Sequence, residues 1–144
     1  FSKLSINNFA DKIKIVKITY IYNILIIIFA LVLSFMASYF LKILVGKDFK
    51  GAYIYVLWIS LGYAFDGMYK MVTNYIFYVK KTHILAWITF ITGISNIVFS
   101  YYLIKLNGTI GAAQGTMIAF FISYVLTFIL SSKVYKMPWN LKRV

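Results

Sequence analysis

Long apolar runs separated by short polar knots set the pattern of this chain. The first run, from about Ile18 to Leu41, holds 24 residues without one charge. As a helix it reaches about 36 Å, enough to cross a hydrocarbon core of about 30 Å with some tilt. Three more runs follow at about 52–79, 84–104 and 110–130. The knots between them are Lys42 to Lys50, with Gly46 and Asp48; Lys80-Lys81-Thr82-His83; and Lys105-Leu106-Asn107-Gly108-Thr109. In the last, Asn-Gly supplies the unusual backbone angles of a tight turn. The pattern predicts an all-α polytopic membrane protein of about four transmembrane helices, with residues 18–130 as one membrane region. No heptad, solenoid period or low-complexity tract interrupts it.

The flanks differ from the runs. In residues 1–17, Ile6, Phe9, Ile13 and Val16 recur at three and four, one face of a helix, and Lys12, Lys14 and Lys17 cluster near its end. Both an amphipathic lead-in lying in the interface plane and a plain connector ahead of the first span fit this segment. Residues 131–144 form a polar, basic tail. The chain opens on Phe1 without Met, and its lead-in lacks the apolar run and cleavage site of a signal peptide. The expectation is the C-terminal portion of a longer protein.

Composition supports lipid as the solvent. Hydrophobic residues make up 62% and charged residues 12%, where a soluble domain is nearer half and a quarter. Lys and Arg number 15 against 3 acids, a net of +12. These cations sit mostly between apolar runs, where topology-setting residues sit, so anionic membrane lipid rather than nucleic acid is the expected counter-charge. One side of the slab holds ten: Lys3, Lys12, Lys14, Lys17, Lys80, Lys81, Lys133, Lys136, Lys142 and Arg143. The other holds Lys42, Lys47, Lys50 and Lys105, partly offset by Asp48. That bias predicts both ends of the chain in the cytoplasm. Many aromatics, among them Trp58, Trp87, Tyr101, Tyr102 and Trp139, fall near run ends, as an interfacial belt does.

Little in the chain suits catalysis. There is no cysteine, so no disulfide or thiolate metal site. The single histidine, His83, stands in a basic turn and reads as solvated. No metal cluster, phosphate-cradling loop or nucleophile motif is present, and neither a cofactor nor an enzymatic activity is expected.

The second run carries the strongest functional signal. Asp66 and Lys70 sit near its middle, four residues apart and so on one helical face, with the acid on the favourable N-terminal side. A charge at mid-membrane is costly, and an ionisable residue there is a functional candidate by default; a self-neutralising pair facing a bundle is the competing structural reading. Tyr63, Gly67 and Asn74 continue the face, a stripe long enough to wall a cavity. Gly62 and Gly67 also allow a bend or break in this long run, which is tolerated where backbone lines a cavity. Asn96 and Gln114 read as interhelical hydrogen-bonding groups, and Gly111 to Gly115 as a small-xxx-small contact between helices. Asn107-Gly108-Thr109 matches a glycosylation sequon, but its turn lies almost in the membrane surface.

The order of features is a basic lead-in, an apolar span, then Val45-Gly46-Lys47-Asp48-Phe49-Lys50-Gly51-Ala52. Next come Tyr78-Val79-Lys80-Lys81-Thr82, Ile94-Ser95-Asn96-Ile97, and Leu106-Asn107-Gly108-Thr109-Ile110-Gly111-Ala112-Ala113-Gln114-Gly115-Thr116. Across nearly the whole chain this resembles the C-terminal part of bacterial polysaccharide flippases, the O-antigen and capsule-unit transporters of the multidrug/oligosaccharidyl-lipid/polysaccharide exporter superfamily. The resemblance implies a two-lobed transporter of twelve to fourteen helices in the cytoplasmic membrane, of which this chain is the last four. It implies a lipid-linked oligosaccharide substrate carried by alternating access, with the missing N-terminal helices as partners. It assigns no role to Asp66 or Lys70, whose candidacy rests on their own placement: Lys70 to attract the substrate pyrophosphate, Asp66 to hold Lys70 or bind a coupling cation. The alternatives are a drug/cation antiporter of the same superfamily and a complete small four-helix accessory protein.

Overall fold

The computed structural model describes residues 9–44, 51–135 and 137–139 and forms four α-helices: α1 (Phe9–Leu44), α2 (Ala52–Tyr78), α3 (His83–Asn107) and α4 (Ile110–Val134). Each apolar run has become one helix, and no strand occurs among the described residues. No Gly or Pro lies between Phe9 and Leu44, so nothing stops α1 from running unbroken through the boundary expected near residue 18. Of the lead-in face, Val16 is fully buried and Phe9 exposed, while Ile6 lies outside the described residues. So does the knot at 45–50.

α1, α3 and α4 are long and apolar enough to cross a membrane. α2 is 27 residues long, about 40 Å, but its middle carries Asp66, Lys70 and Asn74. It lies along α4 from end to end: Tyr55 hydrogen-bonds Thr109 at one end, and the rings of Tyr78 and Tyr135 meet at 5.5 Å at the other. α2 is therefore paired with α4 over its full length. The two run parallel, with α1 antiparallel on the far side of α2 and α3 antiparallel on α4, so the spatial order is α1–α2–α4–α3.

Close approach sets the α3–α4 seam. A Cβ on Gly111 would overlap the carbonyl of Leu103, and one on Gly115 would stand 2.7 Å from the Cα of Ser100. Small residues continue down α4 every fourth position, as Ala119, Ser123, Thr127 and Ser131, all buried. Thr127 and Ser131 donate their hydroxyls to carbonyls of their own helix, Ser123 at 2.7 Å and Phe128 at 3.0 Å. They therefore bury as small residues without demanding an outside partner.

The turns explain themselves locally. After α2, Lys81 N–H donates to the Ile76 carbonyl and Lys80 N–H to Phe77, the paired bonds of a Schellman close. The residue in the left-handed position there is Lys80, φ 56°. After α3, Gly108 takes φ 67°, ψ −148°, a region essentially reserved to glycine, as the Asn-Gly pair predicts.

Beyond α4 the chain does not leave the bundle. Pro138 cannot continue a helix, and Met137 and Trp139 fold back onto Ile15, Val16, Val72 and Tyr75. Trp139, expected as an interfacial aromatic, packs among Phe128, Tyr75 and Tyr20 at centroid distances of 4.7, 5.6 and 6.2 Å.

Candidate functional site: a polar stripe on α2

One turn of helix separates Asp66 from Lys70, and that spacing brings Asp66 Oδ2 to 2.6 Å from Lys70 Nζ. The two partners sit differently. Lys70 has 71% of its side chain exposed and Asp66 19%. Asp66 is thus tucked against the bundle and its cation stands outward. A lysine ammonium has three donors, so one bond to Asp66 leaves two for another group.

Tyr63, Lys70 and Asn74 are exposed along the same face, between Ile59 and Phe77, which are also exposed. These side chains stay exposed among the described residues, although α1 and α4 border the face. The Tyr63 ring leans on Phe120 of α4 at 6.2 Å. Asn74 Nδ2 donates to the Lys70 and Met71 carbonyls, each at 3.3 Å, so its amide lies back along its own helix.

Gly62 and Gly67 do not break α2, which is helical throughout. They are contact points. A Cβ on Gly62 would sit 3.3 Å from the Cα of Met117, and one on Gly67 would overlap the end of Ile26. The same position at Gly67 is 3.3 Å from the hydroxyl of Tyr22. α1 thereby delivers a phenol beside the ion pair, and Tyr22 and Tyr63 both lie within electrostatic reach of Lys70. Nothing in the spacing of α1 alone marks Tyr22, because its placement depends on how α1 is rotated against α2.

The other polar candidates lie elsewhere. Asn96 Nδ2 donates to Thr116 Oγ1 at 3.4 Å and its Oδ1 accepts from Ser100 at 3.3 Å, both at the α3–α4 seam with Gly111 and Gly115. Gln114 Oε1 accepts from Asn107 Nδ2 at 2.7 Å, clasping the turn between those helices. The stripe and the seam are separate features.

A second polar cluster escapes sequence reasoning. Thr19 Oγ1 bonds the Ile15 carbonyl and lies 3.0 Å from the Tyr75 hydroxyl, Asn23 Nδ2 donates to the Tyr124 hydroxyl at 2.9 Å, and Tyr20 donates to the Trp139 carbonyl at 3.0 Å. These bonds tie α1 to α2, α4 and the tail at one end of the bundle. The advance signal is Thr19 and Asn23 at i, i+4 in a largely apolar run.

Chemically, the stripe offers a tethered ammonium, a carboxylate and two phenols on an open helix face. That suits holding a charged group rather than transforming it. Among the described residues no three His, Asp or Glu side chains converge to hold a metal ion. The chain matches no family model, no curated protein and no solved structure.

Proposed function

We propose that this chain is part of a transporter that flips lipid-linked oligosaccharide units across the bacterial cytoplasmic membrane for surface polysaccharide assembly. In this reading both ends of the chain are cytoplasmic, further helices of the same protein face the open side of α2, and Lys70 attracts the substrate pyrophosphate. The observation that carries it is the Asp66–Lys70 pair, closed at 2.6 Å with its lysine exposed on a helix that lies along the apolar α4 from end to end. Lipid alone is a poor neighbour for that face, since charged side chains inside a membrane face a bundle interior or a watery cavity. Anchoring of the cation by a carboxylate keeps it in place without consuming its other donors.

A drug/cation antiporter would need the acid outermost, to meet a cation. Here the ammonium is the exposed partner, at 71% against 19%, which favours an anionic ligand. A small self-contained accessory protein would leave the stripe with no transport role.

The test uses the complete gene product in cells, following membrane abundance and surface polysaccharide together. Asp66→Asn/Lys70→Gln keeps the pair neutral and should reach the membrane at normal levels yet fail to export. Normal abundance with normal export would reduce the pair to a structural feature and end the transport reading of it.

A further inference from the structure

Four tyrosines at the helix contacts have a partner for the hydroxyl. Tyr75 has Thr19, Tyr124 has Asn23, Tyr20 has the Trp139 carbonyl and Tyr55 has Thr109. Tyr22, like Tyr63 and Tyr69, makes no hydroxyl hydrogen bond among the described residues; what sets it apart is that its hydroxyl stands 3.3 Å from where a Gly67 Cβ would be. Gly67 adjoins Asp66 and precedes Lys70 by three residues, so that hydroxyl lies beside the turn of α2 that carries the ion pair. A phenol left unpaired in a membrane is costly, and it gains most from a charged acceptor.

We propose that Tyr22 of α1 is a second donor of the anion site on α2, its hydroxyl hydrogen-bonding a phosphoryl oxygen held by Lys70, with the missing side chain of Gly67 admitting it. This rests on the reading of Lys70 as an anion-binding residue. The site then belongs to two helices rather than one. Lys70 supplies charge, which any anion satisfies, and Tyr22 supplies a directed bond at a fixed distance from it. A diphosphate, with oxygens on two phosphorus atoms, can meet both donors together, whereas a small monoanion engages Lys70 alone.

Gly67 has a defined part. Its flank is already filled by the end of the Ile26 side chain, with the Tyr22 hydroxyl 3.3 Å away, so a methyl there displaces Ile26 Cδ1 and crowds the phenol. Gly67→Ala and Tyr22→Phe therefore act through one contact, and their effects should not add.

The experiment measures binding of undecaprenyl pyrophosphate, and of uncharged undecaprenol as control, to the purified complete protein in detergent. Lys70→Gln should lose the pyrophosphate-dependent part of the affinity. Tyr22→Phe should weaken pyrophosphate-lipid binding about tenfold, the size of one hydrogen bond to a charged group, and leave undecaprenol binding and thermal midpoint unchanged. Gly67→Ala should weaken the same pyrophosphate-dependent binding by crowding the phenol, and the double variant should be no worse than Tyr22→Phe. Binding by Tyr22→Phe within twofold of the parent, with Lys70→Gln defective, overturns the role of Tyr22 and leaves Lys70 standing. Undiminished binding by Lys70→Gln overturns the underlying reading and this inference with it. If Gly67→Ala fails to accumulate, Tyr22→Phe decides alone, because it removes one oxygen from a partly exposed ring. Inorganic pyrophosphate should compete only at far higher concentration; equal competition would overturn the lipid as ligand.

Discussion

Gly115 and Ser100 touch backbone to backbone: a Cβ on the glycine would stand 2.7 Å from the serine Cα. Gly93, on the same helix as Ser100, has nothing within 4 Å of its own missing Cβ. The two glycines therefore have opposite expected behaviour on substitution, which separates packing from helix propensity on a single pair of helices.

Gly115→Ala is expected to cost about 1–3 kcal/mol, because the obstructing atoms are backbone and the helices must part to relieve the clash. Gly93→Ala should be neutral or stabilise by up to about 1 kcal/mol, since a bare mid-helix position gains propensity without a clash. Reversible unfolding in detergent reads both. Similar destabilisation at the two sites would show that the α3–α4 approach is looser than described.

Trp139 holds the start of α1 through its rings and its carbonyl. Trp139→Ala is expected to cost about 3 kcal/mol, and the loss should be local. Amide exchange should quicken over the first turns of α1 while α3 and α4 keep their protection. Trp139 Nε1 is buried without a hydrogen-bond partner, so Trp139→Phe forfeits ring area but no bond and should cost well under half as much. Uniform loss of protection across all four helices would contradict a local clasp.

Topology can be read directly, because the chain has no native cysteine. With cations concentrated at the start of α1, the Lys80–His83 turn and the end of α4, a Cys at Thr82 should resist an impermeant thiol reagent in intact cells. A Cys at Asn107 should react. The reverse pattern would invert the membrane orientation.

The sequence by itself determined which solvent the helices meet, roughly where they begin and end, and that Asp66 and Lys70 share a face. Those properties follow from local quantities: uncharged length, a helical repeat, and cations at run ends. The tight turn at Gly108 was legible for the same reason, as was the Gly111–Gly115 contact. The wider period of four along α4, through Ala119, Ser123, Thr127 and Ser131, was present in the letters, but its polar hydroxyls disguise it as chemistry until their bonds to the helix's own carbonyls are seen. Only the tertiary structure decided the order α1–α2–α4–α3, which a list of spans leaves free. It also turned Gly62 and Gly67 from candidate breaks into contact points, because a missing side chain announces space without saying what fills it. Tyr22 and Trp139 belong to this second class: each reaches its place through the rotation of one helix against another or the return of the tail. Those placements depend on atoms more than 40 residues apart, and no spacing within a single helix encodes them.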